Sequence, residues 1–223
     1  MKFQAIIFDM DGTIVATEHL WKQASHAIIT NRGYVLSATE EHILQEKLPG
    51  SGLRTSCQLI KDITKTDDSV EDLMKEKQEI VCQLYGSGVC FIDGFPEFYK
   101  KVTANNLKTA IATNANQQTI ELTNKSLNLD HYFGNHIYTM KHVHNIAKPN
   151  PAVYLYAAHQ LGISPAACIA IEDSAHGIAA AQAAGMFCIG INSSGRPEQI
   201  SKADLKVETY HDIDLPLLLF ACE

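Results

Sequence analysis

The stretch Phe8-Asp9-Met10-Asp11-Gly12-Thr13 sets two carboxylates two residues apart, directly behind the apolar run Ala5-Ile6-Ile7-Phe8. A carboxylate at the end of a buried strand is costly unless a cation or hydrogen bonds compensate it. Three further pieces share this placement. Thr113 and Asn114 follow the run Lys108 to Ala112, and Glu172 and Asp173 close the run Cys168 to Ile171. Lys148 stands before a helix, beside Pro149 and near Pro151, which stiffen its backbone. Each piece has a bland alternative. Asp-x-Asp-Gly makes an ordinary turn. Thr113 or Asn114 serves as a helix N-cap, as does Asp173 or Ser174, and Lys148 is a plain surface lysine. Together they describe one chemistry. Carboxylates offer the oxygen ligands that Mg²⁺ takes. A lysine, a hydroxyl and an amide can hold a phosphoryl group, and phosphoryl transfer needs mainly positioning and charge neutralisation.

The elements that must position these residues follow from the apolar pattern. The runs Phe3 to Phe8, Lys108 to Ala112, His136 to Thr139, Cys168 to Ile171 and Phe187 to Ile191 suit parallel strands covered on both faces. Helical stretches separate them, the clearest from Gly177 to Ala184 before Gly185. The alternation predicts a doubly wound α/β sheet, in which ligands bind at the carboxyl ends of the strands. One interval departs from it. From Ala16 to about Cys90 only helical periodicity is present. Leu20, Trp21, Ala24, Ala27 and Ile28 share a face, ended near Gly33. Ser37 and Glu40 have capping-box spacing, a third helix spans Gly52 to Ile63, and Ser69 opens a fourth. Residues 16–90 therefore form an inserted helical bundle, and residues 1–15 and 91–223 form the α/β core.

The 223 residues carry 18 basic and 25 acidic side chains, a formal net charge of −7. No basic run marks a nucleic-acid partner. No apolar run reaches the roughly 20 residues of a membrane helix, and Met1-Lys2-Phe3 enters the first strand with no signal peptide before it. The cysteines, Cys57, Cys82, Cys90, Cys168, Cys188 and Cys222, form no Cys-x-x-Cys pair. They read as buried free thiols of a cytoplasmic protein. His131, His136, His142 and His144 crowd one region without the spacing of a known zinc site, so they read as surface residues. His176 receives no role. Nothing calls for more than a monomer.

Asp9-Met10-Asp11-Gly12-Thr13, Thr113, Lys148 and Glu172-Asp173 resemble the four motifs of the haloacid dehalogenase superfamily. Residues 171–186, IEDSAHGIAAAQAAGM, resemble its branch of β-phosphoglucomutase and small sugar-phosphate phosphatases. The resemblance implies a Rossmann-like core with a helical cap after the first strand. It implies a Mg²⁺-dependent phosphatase acting on a small phosphorylated metabolite, a sugar or polyol phosphate. Asp9 would be the nucleophile that forms an aspartyl-phosphate. Asp11 would be the general acid and then the base that activates water. Mg²⁺ would be held by Asp9, the Asp11 carbonyl oxygen and Asp173, with Glu172 a ligand or a partner behind the ligands. Thr113, Asn114 and Lys148 would bind phosphoryl oxygens.

The chain also departs from its branch. Ala16-Thr17-Glu18 stands where many relatives read Asp-Ser-Glu. Mutases carry a cap histidine where this chain holds Trp21, and His19 lies two residues away. Glu18-His19-Leu20-Trp21 and Gly52-Leu53-Arg54 are similar to sugar phosphatases of the 2-deoxyglucose-6-phosphatase and hexitol phosphatase type. Glu18 and Arg54 are therefore expected to contact the leaving group, whereas Trp21 suits the core of the helical bundle. A phosphosugar mutase and a non-catalytic binding protein on the same fold are the competing readings. Phosphonate hydrolysis needs a Schiff-base lysine in the insertion, and no lysine there stands out for it.

Overall fold

The computed structural model describes residues 3–48 and 51–220, without the Phe220 side chain. Met1, Lys2 and Cys222 of the expectations above lie outside the described residues. In chain order the elements are β1 (Ala5–Phe8), α1 (Glu18–Asn31), α2 (Ala38–Lys47), α3 (Leu53–Thr64), α4 (Val70–Gly86), α5 (Phe95–Ala104) and β2 (Lys108–Thr113). They continue with α6 (Gln117–Leu127), α7 (Leu129–Phe133), β3 (Ile137–Thr139), α8 (Ala152–Leu161), β4 (Cys168–Glu172), α9 (Ala175–Ala183), β5 (Phe187–Ile191), β6 (Leu205–Val207) and α10 (Leu215–Phe220). Two compact units result, 1–16 with 89–223, and 17–88.

The first unit is built on a six-stranded sheet of order β3-β2-β1-β4-β5-β6. Every pairing is parallel. The alternation of strand residues gives its two faces different sizes. Ile6, Phe8, Ile111, Ile169, Ile171, Ile189 and Ile191 point to one face, where they meet Phe95, Phe98 and Phe133. Ala5, Ile7, Ala110, Ala112, Cys168, Ala170 and Cys188 point to the other. That face of mostly small side chains takes α8 and α9 through Tyr154, Ala157, Ala158, Ile178 and Ala181. β1 lies at the switch point, with β2 and β3 on one side and β4 to β6 on the other. Ligands of open α/β sheets bind at that position.

The second unit holds α1 to α4. Ser37 and Glu40 form the expected capping box, and Ser69 caps α4 by accepting from Asp72 N. Ile28, Ile29, Leu44, Cys57, Ile60 and Leu73 form its core. Trp21 is only half-buried, which corrects its placement in the bundle core.

β6 has no counterpart in the apolar pattern. It is a three-residue edge strand with exposed Lys206 at its centre, and such a strand produces no apolar run. Cys57, Cys168 and Cys188 are buried thiols, but Cys82 is half-buried and Cys90 exposed, so burial fails for those two. Cys90 lies in the extended segment that pairs Ala16 N with Cys90 O and Ile92 N with Ile14 O. Its backbone is held there while its side chain faces water. His131, His136, His142 and His144 are exposed, as expected. No helix of the described residues is long and apolar enough to cross a membrane.

Candidate active site

The register of the central strands assembles the site. Phe8 pairs with Ile171 of β4 and Ile111 of β2, and Asp9 N donates to Ile171 O at 2.9 Å. Asp9 therefore emerges beside Glu172. One carboxylate oxygen from each of Asp9, Glu172 and Asp173 can be chosen so that all lie within 4.8 Å of one another. Lys148 enters this acidic group from the segment before α8. Its ammonium donates to Asp9 Oδ1 and to Glu172 Oε1, each at 2.6 Å, and its side chain is 4% exposed. That overturns the surface-lysine alternative.

Glu172 is fully enclosed. Its Oε1 also accepts from the Tyr154 hydroxyl at 2.7 Å, and its Oε2 accepts from Ser174 Oγ at 3.2 Å. The Tyr154 ring centroid lies 4.7 Å from the Lys148 ammonium. Gly177 makes the enclosure possible, because a Cβ there would fall 1.9 Å from the Glu172 carboxyl carbon. Ser174 caps α9 through Gly177 N, so the N-cap alternative holds for Ser174.

The charges are unequal. Were all three carboxyls ionised, they would outweigh the one ammonium by two negative charges. Burial raises the Asp9 carboxyl, Lys148 pulls it down, and Glu172 and Asp11 push it back up, to about 7. Burial and the charges of Asp9 and Glu172 hold Asp173 well above the ordinary carboxylate range. Burial opposes the Lys148 charge, but Asp9 and Glu172 outweigh it and hold the ammonium protonated. An all-oxygen donor set that would carry two surplus negative charges once ionised fits a hard divalent cation such as Mg²⁺.

The remaining expected residues fall into two groups. Asp11 opens the tight turn after β1, outside the three-carboxylate group, with a half-buried side chain. Gly12 follows with φ +80°, and a Cβ there would lie 2.2 Å from Asp173 Oδ2. Thr13 Oγ1 donates to Asp173 Oδ1 at 3.3 Å. Thr113 is buried at the end of β2 and accepts from Ala115 N at 3.0 Å. Asn114 Oδ1 accepts from Lys148 N at 3.0 Å, which ties the β2 loop to the lysine segment. Neither caps α6, because Asn116 does. Glu18 and Arg54 belong to the other unit. Glu18 begins α1, half-buried. Arg54 is largely exposed and pairs with Glu71 at 2.7 Å.

Two features escaped the sequence reading. Tyr154 was not singled out, though its place six residues after Lys148 was a usable signal. Lys77, in α4, is 3% exposed and donates to Ser56 Oγ at 2.8 Å. Its ammonium lies 6.0 Å from the Trp21 ring centroid, and burial lowers it to about 8. Burial sets Lys77 apart from the other lysines of the insertion.

The chain belongs to the haloacid dehalogenase-like hydrolases, whose family model matches residues 6–191. It is 28% identical to fructose-1-phosphate phosphatase YqaB of Escherichia coli over 195 residues, covering 85% of this chain and 97% of that one. It is 27% identical to β-phosphoglucomutase of Bacillus subtilis over 228 residues, covering 96% and 93%. A HAD family hydrolase from Deinococcus radiodurans, solved with bound phosphate and sodium, superposes with TM-score 0.77 at 27% identity, covering 98% and 95%. The chain is thus an enzyme of a hydrolase family whose members include named phosphatases, consistent with phosphatase activity.

Proposed function

We propose that this protein is a Mg²⁺-dependent phosphomonoesterase acting on a sugar or polyol phosphate through a phosphorylated Asp9. The observation that carries this reading is the Lys148 ammonium set 2.6 Å from both Asp9 and Glu172, with Asp173 in the same acidic group. Relatives named for sugar phosphates support the substrate class.

In this reading an Asp9 oxygen attacks phosphorus while Asp11 gives its proton to the leaving alkoxide. Asp11, now a carboxylate, takes a proton from the water that attacks the aspartyl-phosphate, and inorganic phosphate leaves with Asp9 restored. Lys148, Thr113 and Asn114 hold the phosphoryl oxygens as charge shifts among them. The cation would be held by Asp9, the Asp11 carbonyl oxygen and Asp173. Bound Mg²⁺ would neutralise charge on these carboxylates and on the phosphoryl group. Glu172 already accepts three hydrogen bonds. Its part is to hold Lys148 rather than to ligate. Residues 17–88 would act as the cap, with Glu18 and Arg54 meeting the leaving group. The protein is expected in the cytoplasm.

The test is phosphate release from a panel of sugar, polyol and nucleotide monophosphates with Mg²⁺, run beside Asp9→Asn. Turnover of a sugar or polyol group, lost in Asp9→Asn and with a chelator, is the expected result. Isomer interconversion without net release would instead make the protein a mutase. Silence in both assays from folded protein would sink the catalytic reading.

A further inference from the structure

The turn that carries Asp11 is satisfied in two different ways. Its N–H groups find local partners. Gly12 N donates to Val15 O, and Thr13, Ile14 and Val15 N all donate to Met10 O, at 2.8 to 3.3 Å. Its carbonyls find distant ones. Ser193 Oγ donates to Gly12 O, across 181 positions of sequence. The Tyr210 hydroxyl donates to Thr13 O at 2.9 Å, across 197. Ser193 follows β5, and Tyr210 opens a single 3₁₀ turn, Tyr210–Asp212, beyond β6.

The Tyr210 donor is set firmly. Tyr210 is 1% exposed, and its ring packs against Phe95 and Phe98 at centroid distances of 5.7 and 5.2 Å. Burial and the nearby charges of Asp173 and Asp9 hold its hydroxyl well above its ordinary value, so it stays a donor. A third hold comes from Asp173, which receives the Thr13 hydroxyl and packs against the Gly12 Cα.

We propose that Ser193 and Tyr210 are positioning residues that fix the Gly12 and Thr13 carbonyls and so aim Asp11 at the leaving oxygen. This rests on the phosphatase reading of the same site. A general acid must reach hydrogen-bond distance of its target, and a displacement of about 1 Å costs on the order of 100-fold. The two hydroxyls therefore matter most where the leaving group needs a proton. A sugar or polyol alkoxide needs one, and p-nitrophenolate does not.

The experiment measures kcat/KM with Mg²⁺ for p-nitrophenyl phosphate and for whichever of glycerol 1-phosphate, sorbitol 6-phosphate and glucose 6-phosphate the wild type hydrolyses. Tyr210→Phe should lower the alkyl value about tenfold and the p-nitrophenyl value less than about twofold. Ser193→Ala should do the same more weakly, and Ser193→Thr, which keeps the hydroxyl, should restore the ratio. If Tyr210→Phe does not fold, the Ser193 pair reads the same ratio. Equal proportional losses for both esters, or no loss in either, would overturn the positioning role. A wild type silent on all four esters would overturn the phosphatase reading instead.

Discussion

Two lysines are buried among the described residues, one in each unit, and their surroundings drive them in opposite directions. Lys148 sits between the carboxylates of Asp9 and Glu172, and they hold it charged despite its burial. Lys77 is just as enclosed, but its contacts are a neutral hydroxyl and an indole face, and burial lowers it to about 8. The difference shows what burial alone does to an ammonium and what countercharge adds. In the sheet unit the lysine offsets an excess of negative charge. In the helical unit the desolvation penalty outweighs the weaker help of its neighbours.

Removing Lys148 should give the largest effect. Lys148→Met would leave three carboxylates without their cation, and breaking a buried pair this way costs about 3–5 kcal/mol. Turnover should fall about 10²- to 10³-fold, the loss typical of one preorganised donor. Urea unfolding with Mg²⁺ and with a chelator separates the two roles. The variant should be destabilised more in chelator, where no other cation faces the carboxylates. A variant equally stable in both would break the contrast with Lys77.

The reverse holds for Lys77→Met. Between pH 8 and 10.5 the unfolded chain keeps a proton on Lys77 that the folded chain has lost. Stability therefore rises with pH through that window, and the penalty is complete below about 8. A shift of this size corresponds to roughly 3 kcal/mol. Lys77→Met should remove the slope between pH 8 and 10.5 and stabilise the helical unit at pH 7. Trp21 is the single tryptophan and belongs to that unit, so its fluorescence reports the unfolding. A slope that survives the substitution would show that Lys77 is not its source.

The two lysines also show what the sequence could reveal. The strands were legible because β1, β4, β5 and the later part of β2 are covered on both faces and so appear as apolar runs. The acidic residues were legible because each ends such a run. Lys148 was legible only in company, since no local pattern distinguishes a buried lysine from an exposed one. Lys77 did have a local signal. Leu73, Lys77 and Val81 fall four residues apart on α4, so the lysine interrupts an apolar stripe. Tyr154, Ser193 and Tyr210 had weaker signals or none. Their partners lie 18, 181 and 197 positions away, and only the strand order brings them together.

Arg54 completes the comparison as a cation that is not buried, and its substitution should give the smallest structural effect. Its pair with Glu71 spans 2.7 Å, but the two side chains are 68% and 65% exposed. Such pairs contribute little and weaken further with salt. Arg54→Ala should therefore leave the urea midpoint almost unchanged, unlike either buried lysine. Its functional effect should be separable from stability. If Arg54 meets the leaving group, the KM for a sugar or polyol phosphate should rise about three- to tenfold, while p-nitrophenyl phosphate, which lacks the sugar or polyol hydroxyls, should be hydrolysed as before. An unchanged KM for every good substrate would leave Arg54 as a solvated arginine of α3, and the recognition of the sugar would have to come from other residues.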